Sequence, residues 1–234
     1  MNLRLDWCSY EAAKHAVMNW HYSKTMPFGK TLKIGVWEYN KFIGVVLYGY
    51  SSTPNVAKGA KLKQQEIVEL TRVALNNHKS SVSKIISISI KMLKYSNPGL
   101  KLVVSFADAD QSHIGVIYQA GSWIYTGLNM KNAKNGYIVN GDFLHCRSAG
   151  MKIGRNTLET VRKYLDPNAI VHYTKGKYRY LYPLNKEMRK QIEPLAKPYP
   201  KKNCDSGVNR STPSFQDGGG GADPTESLYN YAQS

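Results

Sequence analysis

The spacing of apolar and polar positions changes period several times along this chain, and each change predicts an element. From Tyr10 to Trp20, Ala13, Val17 and Trp20 form a helical stripe with Ala12, Ala16 and Met18 beside it. Ser9 stands at the N-cap position and Glu11 in the first turn. The residues before it, Met1 to Asp6, read as the start of a strand, since a secretion leader needs a longer apolar run. Residues 33–38 and 42–48 are strand-like runs joined by Tyr39-Asn40-Lys41, a hairpin in which Asn40 best tolerates positive φ. A Gly/Ser/Lys-rich stretch, 49–64, reads as loop. Residues 66–75 resume period two, with Ile67, Glu69, Thr71 and Val73 on one face and Val68, Leu70, Arg72 and Ala74 on the other.

Residues 84–94 fit both periods. Ile85, Ile88, Met92 and Leu93 make a helical stripe, and the polar turn before it and Asn97-Pro98-Gly99 after it favour a helix. A buried strand follows at 100–107, a helix at 111–120 ended by Gly121, and a further strand at 122–126. Asn140-Gly141, within 137–146, is the dipeptide of a type I′ hairpin. Strand, helix, strand, helix, strand in the middle of the chain implies an α/β protein with a partly parallel sheet and helices packed on it.

Charge divides the chain. Residues 151–202 carry thirteen Lys/Arg against four Asp/Glu, with tyrosines interleaved, and from Asn203 onward Ser, Gly, Pro and Asn dominate. The expected organisation is a core at 1–150, a basic extension at 151–202 and a disordered tail at 203–234. A formal net charge of +16 calls for a polyanionic partner, and nucleic acid is the commonest. A ribosome-associated basic protein would share that signature; a membrane-surface protein would need a longer apolar segment. Cys8, Cys146 and Cys204 have neither metal-site spacing nor the pairing of a disulfide framework, which suits a reducing cytoplasm.

Candidate chemistry concentrates in Trp20-His21-Tyr22-Ser23, in Glu69-Leu70-Thr71-Arg72, and in Ser105 to Asp110 leading to Tyr118. Asp108 ends a buried strand, where open α/β sheets collect ligands, although Asp108 or Asp110 could equally cap the next helix. Arg72, facing inward, needs an anionic ligand or an ion pair with Glu69 or Glu66. His21 suits a general base or metal ligand, or a hydrogen-bonded structural histidine. Ser83 and Lys84, with Lys79 nearby, open a helix whose N–H groups favour phosphate, while Ser83 is also an ordinary N-cap. Lys175, Lys177 and Arg179, interleaved with tyrosines, form a candidate DNA-tracking surface, or a basic face packed by its own tyrosines.

The runs HYS (21–23), FGK…KIGVWE (28–38), FIGVVLYG (42–49), EIVELTRVAL (66–75), NPGLKLVVSFAD (97–108) and IYQAGSWIYTG (117–127) resemble the Mom proteins of bacteriophages over roughly residues 15–200. That resemblance implies conversion of adenine in double-stranded DNA to N6-methylcarbamoyladenine, protecting phage DNA from host restriction in the bacterial cytoplasm. It also implies a fold like that of the GNAT superfamily of N-acetyltransferases, with acetyl-CoA as donor and a weaker link to iron. By position it assigns catalytic roles to His21, Tyr22, Asp108 and Tyr118, and cofactor binding to Arg72, Ser83 and Lys84. One departure is visible. The glycine-rich pyrophosphate loop of ordinary acetyltransferases is replaced here by a Lys/Ser stretch. The competing classes are an ordinary protein or RNA N-acetyltransferase and a non-catalytic DNA-binding protein.

Overall fold

The structure is a computed structural model that describes residues 2–50 and 54–201. Its main sheet has seven strands in the order β1-β2-β3-β4-β5-β10-β6. β1 (Leu3–Trp7), β2 (Thr31–Glu38), β3 (Lys41–Gly49) and β4 (Ile67–Leu75) form an antiparallel meander. The β2–β3 turn takes positive φ at both Tyr39 and Asn40. β4 then pairs in parallel with β5 (Leu102–Asp108) through the crossover helix α3 (Val82–Ser96). α3 buries Ile85, Ile86, Ser89, Ile90 and Leu93, a face turned from the expected stripe, since Ile88 lies at its edge.

α1 (Tyr10–Trp20) forms as its sequence predicts, with Ser9 Oγ accepting the Ala12 N–H. It packs Ala13, Ala16 and Val17 on Val45, Leu47 and Ala74. The same sheet face is covered further along by α2 (Pro54–Gly59) and α7 (Lys186–Ile192), over Ile67, Leu102, Val104 and Leu181. The opposite face carries α3 and the single-turn helix α4 (Val116–Gln119).

Four expectations are corrected. The stretch read as loop contains α2, whose Val56 and Ala57 are buried. The helix expected at 111–120 is reduced to α4, because Ser112 and Gly115 take left-handed backbone that interrupts the α ladder. At Gly115 an added Cβ would meet the Tyr180 ring at 2.3 Å.

The alternation in β4 is broken by a bulge. Leu47 opposes Arg72 but Tyr48 opposes Leu70, so Thr71 is the extra residue, and its Oγ1 donates to the Leu47 carbonyl at 3.0 Å. Val73 therefore joins Val68 and Leu70 on the α3 face, while Arg72 and Ala74 lie on the α1 face.

Lastly, the basic segment supplies β10 (Lys177–Pro183), which sits between β5 and β6 (Ile124–Asn129) with Tyr180 and Leu181 buried. Tyr178, Tyr180 and Tyr182 point into the α3-side core and not toward a groove of DNA. Between β6 and β10 the chain builds a second sheet, β8-β7-β9, from β7 (Lys134–Val139), β8 (Asp142–His145) and β9 (Ile170–Tyr173). With α5 (Cys146–Ile153) and α6 (Leu158–Tyr164) it encloses its own core around Tyr137, Ala149, Val161 and Ala169. The β7–β8 turn is the expected Asn140-Gly141, both at positive φ. The tail at 203–234 lies outside the described residues.

Candidate active site

The parallel pairing of β4 with β5 stops at Leu70 and Ser105, although β4 runs on to Leu75 and β5 to Asp108. The strands part there, at the level of the Thr71 bulge. Four of the expected residues gather on the α1 side of this opening. The His21 and Tyr22 rings lie 4.3 Å apart, and Tyr22 meets the His113 ring edge-on at 5.5 Å. Asp108 and Arg72 both act electrostatically on the Tyr22 hydroxyl, and Arg72 also acts on His21.

His21 is the C-cap of α1, and its Nδ1 accepts the Ser23 backbone N–H at 3.1 Å, with Ser23 Oγ at 2.9 Å. A backbone N–H can only donate, so the ring's hydrogen sits on Nε2. Burial first, then Arg72 and His113, push its pKa down to about 4, so His21 is neutral at pH 7. With Nδ1 engaged by Ser23, the ring presents a hydrogen-bond donor at Nε2. Tyr22 is half exposed, and burial together with Asp108 raises its hydroxyl pKa.

Arg72 holds the segment after α1 in place: Nη1 donates to the Thr71 carbonyl at 2.8 Å and Nε to the Thr25 carbonyl at 3.4 Å. Burial pulls its pKa below the usual guanidinium range, with Tyr22 and Glu69 opposing that shift, while Glu66 is engaged by Lys101 at 2.6 Å.

The two aspartates separate cleanly. Asp110 is structural, its Oδ1 accepting the Lys175 N–H at 2.8 Å and its Oδ2 the Asn135 amide at 3.5 Å. Asp108 does cap the short turn after β5, with Oδ1 accepting the Asp110 N–H at 3.0 Å. Its Oδ2 has no hydrogen bond among the described residues.

On the opposite face of the sheet, Tyr118 reaches the root of the opening, where its hydroxyl lies 2.8 Å from Ser105 Oγ. Burial pushes its pKa up to about 12. Ser83 and Lys84 line a cleft of about 330 Å³ with Ala120, Gly121, Trp123 and Tyr182, and the Trp123 ring stacks at 5.0 Å on Tyr118. Arg72 is thus parted from Ser83 and Lys84, with which it had been grouped. Ser83 is not the cap of α3; that position is Ser81, which makes no side-chain cap bond.

Lys177 opposes Asp108 on the neighbouring strand, and Arg179 is half-buried with Nε donating to Thr126 Oγ1 at 2.6 Å. Lys175 is exposed.

The sequence reading missed His113, in the loop mistaken for helix, and Glu38, which organises the approach to α3. Glu38 is 4 % exposed and its carboxylate accepts the backbone N–H groups of Lys79 and Ser80, both at 2.7 Å. Neither lies in a segment whose pattern marks it. Among the described residues no three His, Cys, Asp or Glu side chains converge to hold an ion, so the link to iron finds no ligand set. No helix among them is long and apolar enough to cross a membrane.

Comparison with known proteins places this geometry. The chain is 29% identical over 212 residues to the methylcarbamoylase Mom of Escherichia phage Mu, covering 85% of this chain and 84% of that protein. Solved structures of similar outline include a Bacillus subtilis acetyltransferase in complex with CoA, 11% identical with a TM-score of 0.48, covering 79% of this chain and 100% of that one. The Vibrio cholerae spermidine/spermine N-acetyltransferase SpeG is 10% identical with a TM-score of 0.42, covering 81% and 99%. The family model described as the Mom protein family matches residues 2–201, which span every described strand and helix, and the chain belongs to that family.

Proposed function

We propose that this protein modifies adenine in double-stranded phage DNA to N6-methylcarbamoyladenine, using an acyl-coenzyme A, and so shields the DNA from restriction in the host cytoplasm. The observation that carries the reading is the gathering of His21, Tyr22, Arg72 and Asp108 at the opening between β4 and β5, in a Mom-family chain of net charge +16. An exocyclic amine paired inside a duplex is out of reach, so the adenine is drawn out of the stack. Asp108 Oδ2 accepts a hydrogen from N6, Tyr22 offers a ring face, and His21 Nε2–H donates to a ring nitrogen or to the incoming group.

The residues at α3 fit a coenzyme. The helix start has no side-chain cap bond and no acidic residue in its first turn. Ser83 and Lys84 add a hydroxyl and a cation beside the cleft, a donor set suited to phosphate. When bound there, the coenzyme would supply the two-carbon unit. Its thioester is exchanged for a carboxamide by an ammonia-level nitrogen donor with loss of the thiol. Joining the methyl carbon to N6 replaces a C–H bond and requires a two-electron oxidant as co-reactant. Tyr118, protonated and buried at the root of the opening, turns its one hydroxyl hydrogen from Ser105 to the acyl-thioester end when a thioester is present.

The test is mass spectrometry of nucleosides from DNA of cells expressing the protein. Methylcarbamoylated deoxyadenosine is expected with the wild type and not with Asp108→Asn. An acetylated peptide or RNA would point to an ordinary acetyltransferase, and unmodified DNA bound tightly to a non-catalytic binder.

A further inference from the structure

Phe28 is 87 % exposed, whereas the His21, Tyr22 and His113 rings of the site contact one another. It stands in the segment joining α1 to β2, the segment that also carries His21 and Tyr22. The base of that segment is held firmly. Arg72 Nε reaches the Thr25 carbonyl, Thr25 Oγ1 donates to the Ser23 carbonyl at 2.7 Å, and Met26 packs in the α1 core. The tip is open: Gly29 follows at φ 85°, and a Cβ there would meet nothing within 4 Å.

A cation meets the ring: the Arg147 guanidinium, from the first turn of α5, stands 5.9 Å from the ring centre, and the same segment as Phe28 carries the exposed Lys24 and Lys30. A large apolar ring at an open tip with a guanidinium over it is complementary to a base stack flanked by phosphates.

We propose that Phe28 is the wedge that enters the duplex where an adenine has been withdrawn, stacking on the neighbouring bases. The inference rests on the DNA-modifying reading above and adds the part of the protein that keeps the gap open. An extruded base leaves unstacked neighbours behind, and an aromatic face inserted there recovers part of the lost stacking. Arg147 then contacts a phosphate from the side of the second sheet. No bond is made or broken by Phe28; its role is to position the substrate.

The experiment compares Phe28→Ala and Phe28→Trp with the wild-type full chain on two DNAs. In one, the target adenines are paired with thymine; in the other, the same adenines face abasic sites. On paired DNA, Phe28→Ala is expected to lose at least tenfold in modified adenine per unit time, and Phe28→Trp to keep the wild-type level. On abasic-opposed DNA the loss is expected to shrink to less than threefold, because the opposing base no longer holds the adenine in. Equal activity of Phe28→Ala and wild type on paired DNA, or equal losses on both DNAs, would overturn the wedge while leaving the modification reading intact. Absence of any modified nucleoside with the wild type would overturn both. Because the ring is exposed, Phe28→Ala is expected to melt within a degree or two of the wild type, which separates this outcome from misfolding.

Discussion

The hydroxyl groups of Ser105 and Tyr118 lie 2.8 Å apart at the last register pair before β4 and β5 separate. Ser105 Oγ is also 2.9 Å from the Leu70 carbonyl, which can only accept, so the single serine hydrogen goes to Leu70 and Tyr118 donates to Ser105. Tyr118→Phe leaves Ser105 bonded to Leu70 and should cost about 1 kcal/mol of stability or less. Its modification rate should nonetheless fall about 10- to 100-fold, as for other lost general-acid or donor groups. Ser105→Ala leaves both the phenol and the Leu70 carbonyl short of a partner inside the core, and should cost about 1–3 kcal/mol. Melting curves and turnover measured on both variants separate the roles; a Tyr118→Phe enzyme of full activity would remove Tyr118 from the chemistry.

Much of this frame was legible from the chain because apolar period reports burial, and burial is what the sheet and α3 impose. The helix at 84–94 was legible once a parallel crossover was required, although the stripe of Ile85, Ile88, Met92 and Leu93 is turned from the face that buries Ile85, Ile86, Ile90 and Leu93. The Thr71 bulge was not legible. One inserted residue leaves composition unchanged and reverses every later side chain in β4, which is why Arg72 was placed with Val68 and Leu70. β10 was hidden in the same way, since a strand buried between two others still carries Lys177 and Arg179 on its α1-side face. His21, Tyr22, Asp108 and Tyr118 were marked by residue type and element ends. The choice of His21 as donor needed the Ser23 N–H, a contact no spacing reveals.

His21 makes the stability depend on pH. Its pKa, about 4 in the folded protein against 6.5 in the unfolded chain, means that protons bind the unfolded chain first. Its contribution is therefore complete above about pH 6.5 and is lost as pH falls toward 4. His21→Asn keeps an acceptor for the Ser23 N–H but does not titrate. The melting temperature of the wild type should fall more steeply than that of His21→Asn between pH 6.5 and pH 4. Parallel curves would show that His21 is not held neutral by its surroundings.

Glu38 controls the approach to α3 from 41 residues away in sequence, through the N–H groups of Lys79 and Ser80. Those two bonds hold its carboxyl below the usual carboxylate range, so its contribution is present above about pH 4.5 and lost as pH drops further. Glu38→Gln retains shape but not charge and should cost about 2 kcal/mol, the scale of hydrogen bonds to a charged group. The same change loosens the turn that sets the start of α3. Affinity for an acyl-coenzyme A, measured by calorimetry, should fall while that for DNA stays constant. Equal losses of both would mean that Glu38 supports the whole fold and not the coenzyme end of the site.

Lys177 opposes Asp108 at the start of β10 and Lys175 is exposed two residues before it, and we propose that both meet phosphates of the DNA. Arg179 differs, because its half-buried guanidinium is spent on Thr126 and its removal leaves that hydroxyl behind. Each phosphate contact steepens the dependence of log affinity on log salt by about 0.9 for duplex DNA. Lys175→Gln with Lys177→Gln should therefore flatten the slope by about 1 to 2, lower DNA affinity at all sequences alike, and leave the melting temperature nearly unchanged. Arg179→Gln should lower the melting temperature with a smaller change in slope, as expected when a buried bond and not a phosphate contact is lost. Fluorescence anisotropy on a random-sequence duplex across a salt series gives both slopes. If the double lysine variant kept the wild-type slope, Lys175 and Lys177 would not be phosphate contacts, and the salt dependence would have to come from other cations such as Arg147 beside Phe28.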